Sequence, residues 1–174
     1  FIKKYLNQSK LNYLRHSPIS ISKQRNLALK LAKTKFLGFL DDDDLWAPNK
    51  VEEFLNFISK NKNKEFSLWY SGFSFFTSKV NQKKYALYDQ QSDLESLLLQ
   101  KGDFTASASN PILNIASVKN IGSFNEDVKT GEDWEMYLRL AKNSKFFCNK
   151  KNLVYVRSHQ GSRRSEEHTS ELQS

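Results

Sequence analysis

Residues 36–50 read FLGFLDDDDLWAPNK, an apolar run that ends in four consecutive carboxylates, Asp41 to Asp44, followed by a tryptophan and a proline. Adjacent unit charges about 4 Å apart repel by about 1 kcal/mol in water and several-fold more beside protein, so a folded chain must offset the repulsion. A hard divalent cation would do so, because Mg²⁺ takes oxygen ligands and typically uses one or two carboxylates together with phosphate oxygens. It would also neutralise a diphosphate leaving group. A solvated acidic turn explains the same four residues equally well, so this stretch alone leaves both readings open.

Other chemistry-bearing residues are scattered. Glu132 and Asp133 open the helix-like segment GEDWEMYLRLAKN, where carboxylates also serve as capping groups. Arg157 and His159 fall on one face of a strand-like end by the period of two; His159 reads equally well as a surface histidine. His16 has no partner in sequence and reads as an exposed loop residue. Cys148 is the single cysteine. It follows two phenylalanines and reads as a buried small side chain, so no internal disulfide is possible and a reducing compartment is expected.

The elements that must position these residues alternate between helix and strand. SISKQRNLALKLAK (20–33) predicts a helix capped by Ser22, with Leu27, Ala28 and Leu31 as its inward stripe. KFLGFL (35–40) predicts a strand covered on both faces, as in a parallel sheet. Pro48 suits the first turn of a second helix with Val51, Phe54, Leu55 and Ile58 inward. A strand over 65–77, a helix around 93–100, and a short strand and helix closed at Gly122 follow. The helix at 131–143 carries Trp134, Tyr137 or Leu138, and Ala141 as its stripe and a Glu135–Arg139 pair. Strand-like pieces span 146–159. This order indicates α/β architecture in which the carboxylates lie beyond the end of a strand, where open parallel sheets bind ligands.

The 174 residues, 39% hydrophobic and 13% aromatic, suit a single folded domain. The net charge of +8 raises polyanion binding. Its lysines are spread with asparagine through surface-like segments such as KNKNKE, which argues against a dedicated nucleic-acid partner. No apolar run approaches the about 20 residues of a membrane-spanning helix. The cytoplasm, with peripheral association at the inner face of the membrane, is the expected location.

Four elements in order carry a family resemblance: Arg25-Asn26; Phe39-Leu40-Asp41-Asp42-Asp43-Asp44-Leu45-Trp46-Ala47-Pro48; Gly122-Ser123-Phe124; and Gly131-Glu132-Asp133-Trp134. Together they resemble the family-two glycosyltransferases of the GT-A fold, over about residues 13–160. The resemblance implies a Rossmann-like nucleotide-diphospho-sugar transferase fold with a mostly parallel central sheet. It implies that Asp43 ligates Mg²⁺ or Mn²⁺ with Asp41, and that Asp41 or Asp42 faces the ribose and diphosphate. Arg25 and Asn26 would lie beside the nucleotide, with Arg157 and His159 near the diphosphate. Asp133 would be the general base, with Glu132 beside it. Trp46 and Trp134 read as packing residues rather than sugar platforms.

The implied activity is inverting, metal-dependent transfer of a sugar from a nucleotide-diphosphate donor to a glycan or lipid-linked acceptor in surface polysaccharide synthesis. Family members begin with strands that precede the Arg-Asn helix and read the nucleotide base. Residues 1–163 are therefore expected to be a partial catalytic domain lacking its first strands. Residues 164–174 resemble a translated sequencing-library adapter and are expected to be a non-native tail. The alternative is a noncatalytic transferase-like or polyanion-binding module.

Overall fold

The computed structural model describes residues 11–15, 17–77, 83–84, 96, 98–99 and 105–158. His16, His159, most of the helix expected over 93–100 and the whole of 164–174 lie outside them; Ser96, Leu98 and Leu99 are helical, with Leu98 buried.

The chain runs α1 (Ile21–Leu31), β1 (Phe36–Gly38), β2 (Leu45–Trp46), α2 (Lys50–Lys60), β3 (Leu68–Phe76), β4 (Lys83–Lys84), β5 (Ile112–Asn114), α3 (Ile115–Asn120), α4 (Glu132–Ala141) and β6 (Phe146–Arg157). The strands form one six-stranded sheet in the order β1-β5-β3-β6-β2, with β4 also on β3. β3 and β6 pair in parallel along its centre, and every other pairing is antiparallel. The fold is α/β as expected, but the sheet is mixed rather than mostly parallel. The expected parallel setting of β1 gives way to an antiparallel pairing with β5. The parallel β3 and β6 are separated in sequence by α3 and α4, the kind of connection a parallel pair needs.

Alternation along the strands divides the core between two faces. Leu68, Tyr70 and Leu113 join α1, α3 and α4 residues in one cluster with Leu29, Val118, Met136 and Leu140. Trp69 and Ile112 point the other way, into a second cluster with Phe54 of α2, Phe66 and Leu153. Phe36 stacks on Phe66 at 5.3 Å between centroids and meets Phe54 edge-on at 5.1 Å. Cys148 is only half-buried, at the margin of the first cluster.

Three helices form where expected; α1 and α2 turn different faces inward, whereas α4 buries Tyr137 and packs Trp134, Leu138 and Ala141 against the same cluster, as expected. α1 is capped by Ser20, whose hydroxyl accepts from the Lys23 amide at 3.3 Å, rather than by Ser22. Its inward face is Ser22, Arg25 and Leu29, and Leu31 is 51% exposed. α2 buries Lys50 and Phe54 while Val51 and Leu55 stay outside. α4 buries Glu132, Met136, Tyr137 and Leu140, with Trp134 partly covered. In each case a charged side chain that hydrophobic periodicity assigns to solvent has an interior partner. The Glu135–Arg139 pair forms at 2.6 Å, and Arg139 also donates to the carbonyls of Ile121 and Ser123, clasping the turn at Gly122 (φ +89°).

The sheet is curled, and the carboxylates bridge its edges. Flat strands about 4.8 Å apart would hold β1 and β2, four steps apart in the order, about 19 Å from each other. Residues 39–44 join them even though they contain a turn, closed by the Asp44 amide donating to the Asp41 carbonyl at 3.2 Å. The Trp46 indole lies 2.9 Å from where a Cβ on Gly38 would stand, so the edges close on each other.

Candidate active site

The aspartate turn rests on a shelf made by residues 105–110 and on the end of β6. Asp44 is buried and used by the fold: its Oδ2 accepts from Ser107 Oγ at 2.7 Å and its Oδ1 from the Arg157 amide at 2.9 Å. The Asp41 amide donates to Ser109 Oγ at 3.0 Å. Arg157 Nε donates to the Asp43 carbonyl at 3.0 Å while its guanidinium lies 4.5 Å over the Phe76 ring. Arg157 and the carboxylates, 114 positions apart in sequence, thus meet at one end of the sheet. Asp42 is exposed, and Asp41 and Asp43 are half-buried.

Asp41 to Asp43 fit a hard cation that needs one or two carboxylates and completes its shell with phosphate oxygens. Among the described residues no group of three or more His, Cys, Asp or Glu side chains is arranged to hold a metal by itself.

Arg25 and Glu132 form an ion pair at 2.8 Å, with side chains only 6% and 8% exposed. The guanidinium is also 5.7 Å from the Phe39 ring and 5.5 Å from Phe124. Asn26 is equally committed: its Nδ2 donates to the Phe124 carbonyl and Glu126 Oε1, both at 2.9 Å, and its Oδ1 accepts from the Phe124 amide at 3.0 Å. These contacts join the Arg-Asn helix, the Gly-x-Phe turn and the start of α4 into one unit. Phe39, two residues before Asp41, is its link to the aspartate turn.

Asp133, next to Glu132, is half-buried and its Oδ1 accepts from the Trp134 amide at 2.9 Å. The N-cap of α4 is Gly131 (φ +71°), so Asp133 is not the cap. Trp134 donates its indole N–H to the Leu98 carbonyl at 3.1 Å, a packing role.

Sequence reasoning missed the shelf and the lysine beneath it. Lys50 is fully buried, and its Nζ donates to the Asn110 carbonyl at 2.8 Å. Burial lowers its pKa from 10.5 to about 7. Lys50 in PNKVEE looks like any exposed residue at a helix start, and TASASN has no period or motif. Only the repeated small hydroxyl side chains, each able to bond backbone at close range, offered a signal.

A curled mixed sheet between helices, with carboxylates beyond a strand end, defines the GT-A class of nucleotide-sugar transferase folds. The protein belongs to the family described as "Glycosyltransferase like family 2", which it matches over residues 1–165. It is 28% identical over 141 residues to the uncharacterized glycosyltransferase RT0329 of Rickettsia typhi, covering 77% of this chain and 43% of that protein. A shorter stretch of 37 residues, 21% of this chain and 15% of the relative, is 49% identical to an Escherichia coli enzyme, the UDP-Glc:alpha-D-GlcNAc-diphosphoundecaprenol beta-1,3-glucosyltransferase WfgD. Among solved structures, S. aureus TarS 1-349 in complex with UDP-GlcNAc superposes with a TM-score of 0.68 at 22% identity, covering 94% of this chain and 47% of that one. The chain thus spans less than half the length of RT0329 and of the TarS chain. Among the described residues no helix is long and apolar enough to cross a membrane.

Proposed function

We propose that this chain carries the diphosphate- and acceptor-activating part of an inverting glycosyltransferase. A nucleotide-diphosphate sugar lies over the aspartate turn, and a glycan or lipid-linked hydroxyl is the acceptor in surface polysaccharide synthesis. The observation that carries the reading is the meeting of Asp41–Asp43 with Arg157 beyond the carboxyl end of β1. A UDP-sugar is the donor to try first, since the TarS superposition is with a UDP-GlcNAc complex and the E. coli relative is named for UDP-Glc. The undecaprenol-linked acceptor in that name supports a place at the inner face of the membrane.

Asp43, with Asp41 or Asp42, would hold Mg²⁺ or Mn²⁺, which supplies charge neutralisation to the departing diphosphate. Arg157 adds a guanidinium on the same side. Asp133 takes the proton of the acceptor hydroxyl as its oxygen bonds to the anomeric carbon from the face opposite the leaving group. The sugar–phosphate bond breaks, and the electron pair leaves with the nucleoside diphosphate. Arg25, Asn26 and Glu132 serve this site by fixing the start of α4, on which Asp133 sits, against the strand that feeds the turn.

Calorimetry of UDP binding with and without Mn²⁺, on the wild type and Asp43→Asn, tests the reading. Binding that needs both Mn²⁺ and Asp43 is expected. Equal affinity in all four conditions would remove the metal from the mechanism.

A further inference from the structure

The shelf beneath the aspartate turn is organised around an ammonium group. Lys50 Nζ, 2.8 Å from the Asn110 carbonyl, also lies 3.4 Å from Ser71 Oγ and 3.5 Å from Asn110 Oδ1. The Trp46 and Trp69 ring centroids are 5.5 and 5.3 Å away. Among the described residues no carboxylate pairs with it. A buried ammonium without a counter-ion is expensive for a fold, and a methionine would fill the same space without that penalty.

What the ammonium holds gives it a purpose. The Asn110 side chain is saturated: its Oδ1 accepts from the Ser71 amide at 3.0 Å and from Ser71 Oγ at 3.1 Å. Its Nδ2 donates to the carbonyls of Ser71 at 2.8 Å and Thr105 at 2.9 Å. One end of the shelf is thereby locked to β3. The other end carries the turn, through Ser107 to Asp44, Ser109 to the Asp41 amide, and the Trp46 indole N–H to the Ser109 carbonyl at 2.6 Å. Between them Ala106 stands at φ +64°, a conformation that a residue with a Cβ keeps only where its surroundings over-determine it.

We propose that Lys50 is a positioning residue for the nucleotide-sugar site: donating to the Asn110 carbonyl, its Nζ locks the 105–110 shelf and thereby fixes the carboxylates of the aspartate turn. The proposal rests on the reading of that turn as the diphosphate site. It also assigns a function to the TASASN segment, as the seat of the turn.

Two measurements on Lys50→Met test it. In amide hydrogen exchange, the Asp41 and Ser71 amides should exchange about tenfold faster than in the wild type, the value of one lost hydrogen bond. The Leu140 amide of α4 should be unchanged. In calorimetry, UDP with Mn²⁺ should bind about tenfold more weakly. Asp41 protection equal to the wild type would overturn the proposal, as would uniform loss of protection across α4 and the turn, which marks a purely structural lysine. If the wild type binds no UDP, the nucleotide reading fails, while the exchange result still decides whether Lys50 positions the turn. Should Lys50→Met not fold, Lys50→Gln, with a shorter polar side chain, decides. Faster exchange at Asp41 and Ser71 with Leu140 unchanged sustains the proposal, and unaltered Asp41 exchange overturns it.

Discussion

Asp133 lies inside the first turn of α4 while Gly131 occupies the cap, so its carboxylate can be removed without unravelling the helix. A positioned carboxylate that deprotonates a hydroxyl typically contributes about 10²–10⁴-fold. Asp133→Asn should therefore lower kcat of sugar transfer by about that factor, or about 3–5 kcal/mol of transition-state stabilisation, with melting and donor affinity nearly unchanged. Asp133→Ala should lose no more than about 1 kcal/mol of stability, the usual worth of an acid near a helix start. Turnover and melting of both variants check this, and an Asp133→Asn enzyme as fast as the wild type would sink the base assignment. Lys50 gives a pH-dependent signature. Its pKa falls from 10.5 to about 7 because burial disfavours the charged form. Between those values the unfolded chain holds a proton that the folded chain has released, so stability rises as pH climbs from about 7 toward 10. Between pH 7 and 9 the wild type should gain on Lys50→Met by up to about 3 kcal/mol in urea melts. The indole faces and the Asn110 carbonyl favour the ammonium and reduce that gain.

At the scale of the element, the buried Arg25–Glu132 pair joins α1 to α4. Removing one partner leaves an uncompensated buried charge, so Glu132→Gln should destabilise by about 3–5 kcal/mol. Arg25→Met combined with Glu132→Leu should cost far less, and denaturant melts of the two variants beside the wild type distinguish the cases. In the central β3–β6 pairing the register shifts around Gly72. A Cβ there would stand 2.9 Å from the Lys151 carbonyl oxygen, backbone that cannot swing aside, so Gly72→Ala should cost about 1–3 kcal/mol. The same elements show what the sequence disclosed. Each described helix and the strands β1, β3, β5 and β6 could be placed from hydrophobic period and turn chemistry, because those signals are local, whereas the two-residue strands β2 and β4 are too short to carry a period. Which face of α1 or α2 turns inward could not, because Arg25 and Lys50 are buried by partners 107 and 60 positions away. The site was legible in the same uneven way. The aspartate run and Arg157 stood out by residue type, whereas the shelf of Ser107, Ser109 and Asn110 acquires meaning only when the curled sheet brings it under the turn.

At the scale of the whole molecule, residues 39–44 span the closing edges of the curled sheet, so a ligand bound there grips β1, β2 and the end of β6 together. Such a ligand stabilises the native state by RT ln(1 + [L]/Kd), about 2.7 kcal/mol at a hundredfold excess over Kd. For a chain of this size that is about 5–10 °C in Tm. Thermal melts with UDP and Mn²⁺ should show this rise, and it should vanish with a chelator or in Asp43→Asn. The charge of +8 allows a competing outcome. A polyanion-binding module would be stabilised by heparin without metal, and the effect would fade between 50 and 200 mM salt as released counterions lose their entropic advantage. UDP is small and its binding would run through a few inner contacts, so its stabilisation should survive that salt step. Heparin stabilisation with no Mn²⁺-dependent effect of UDP would move the function from the aspartate turn to the basic surface.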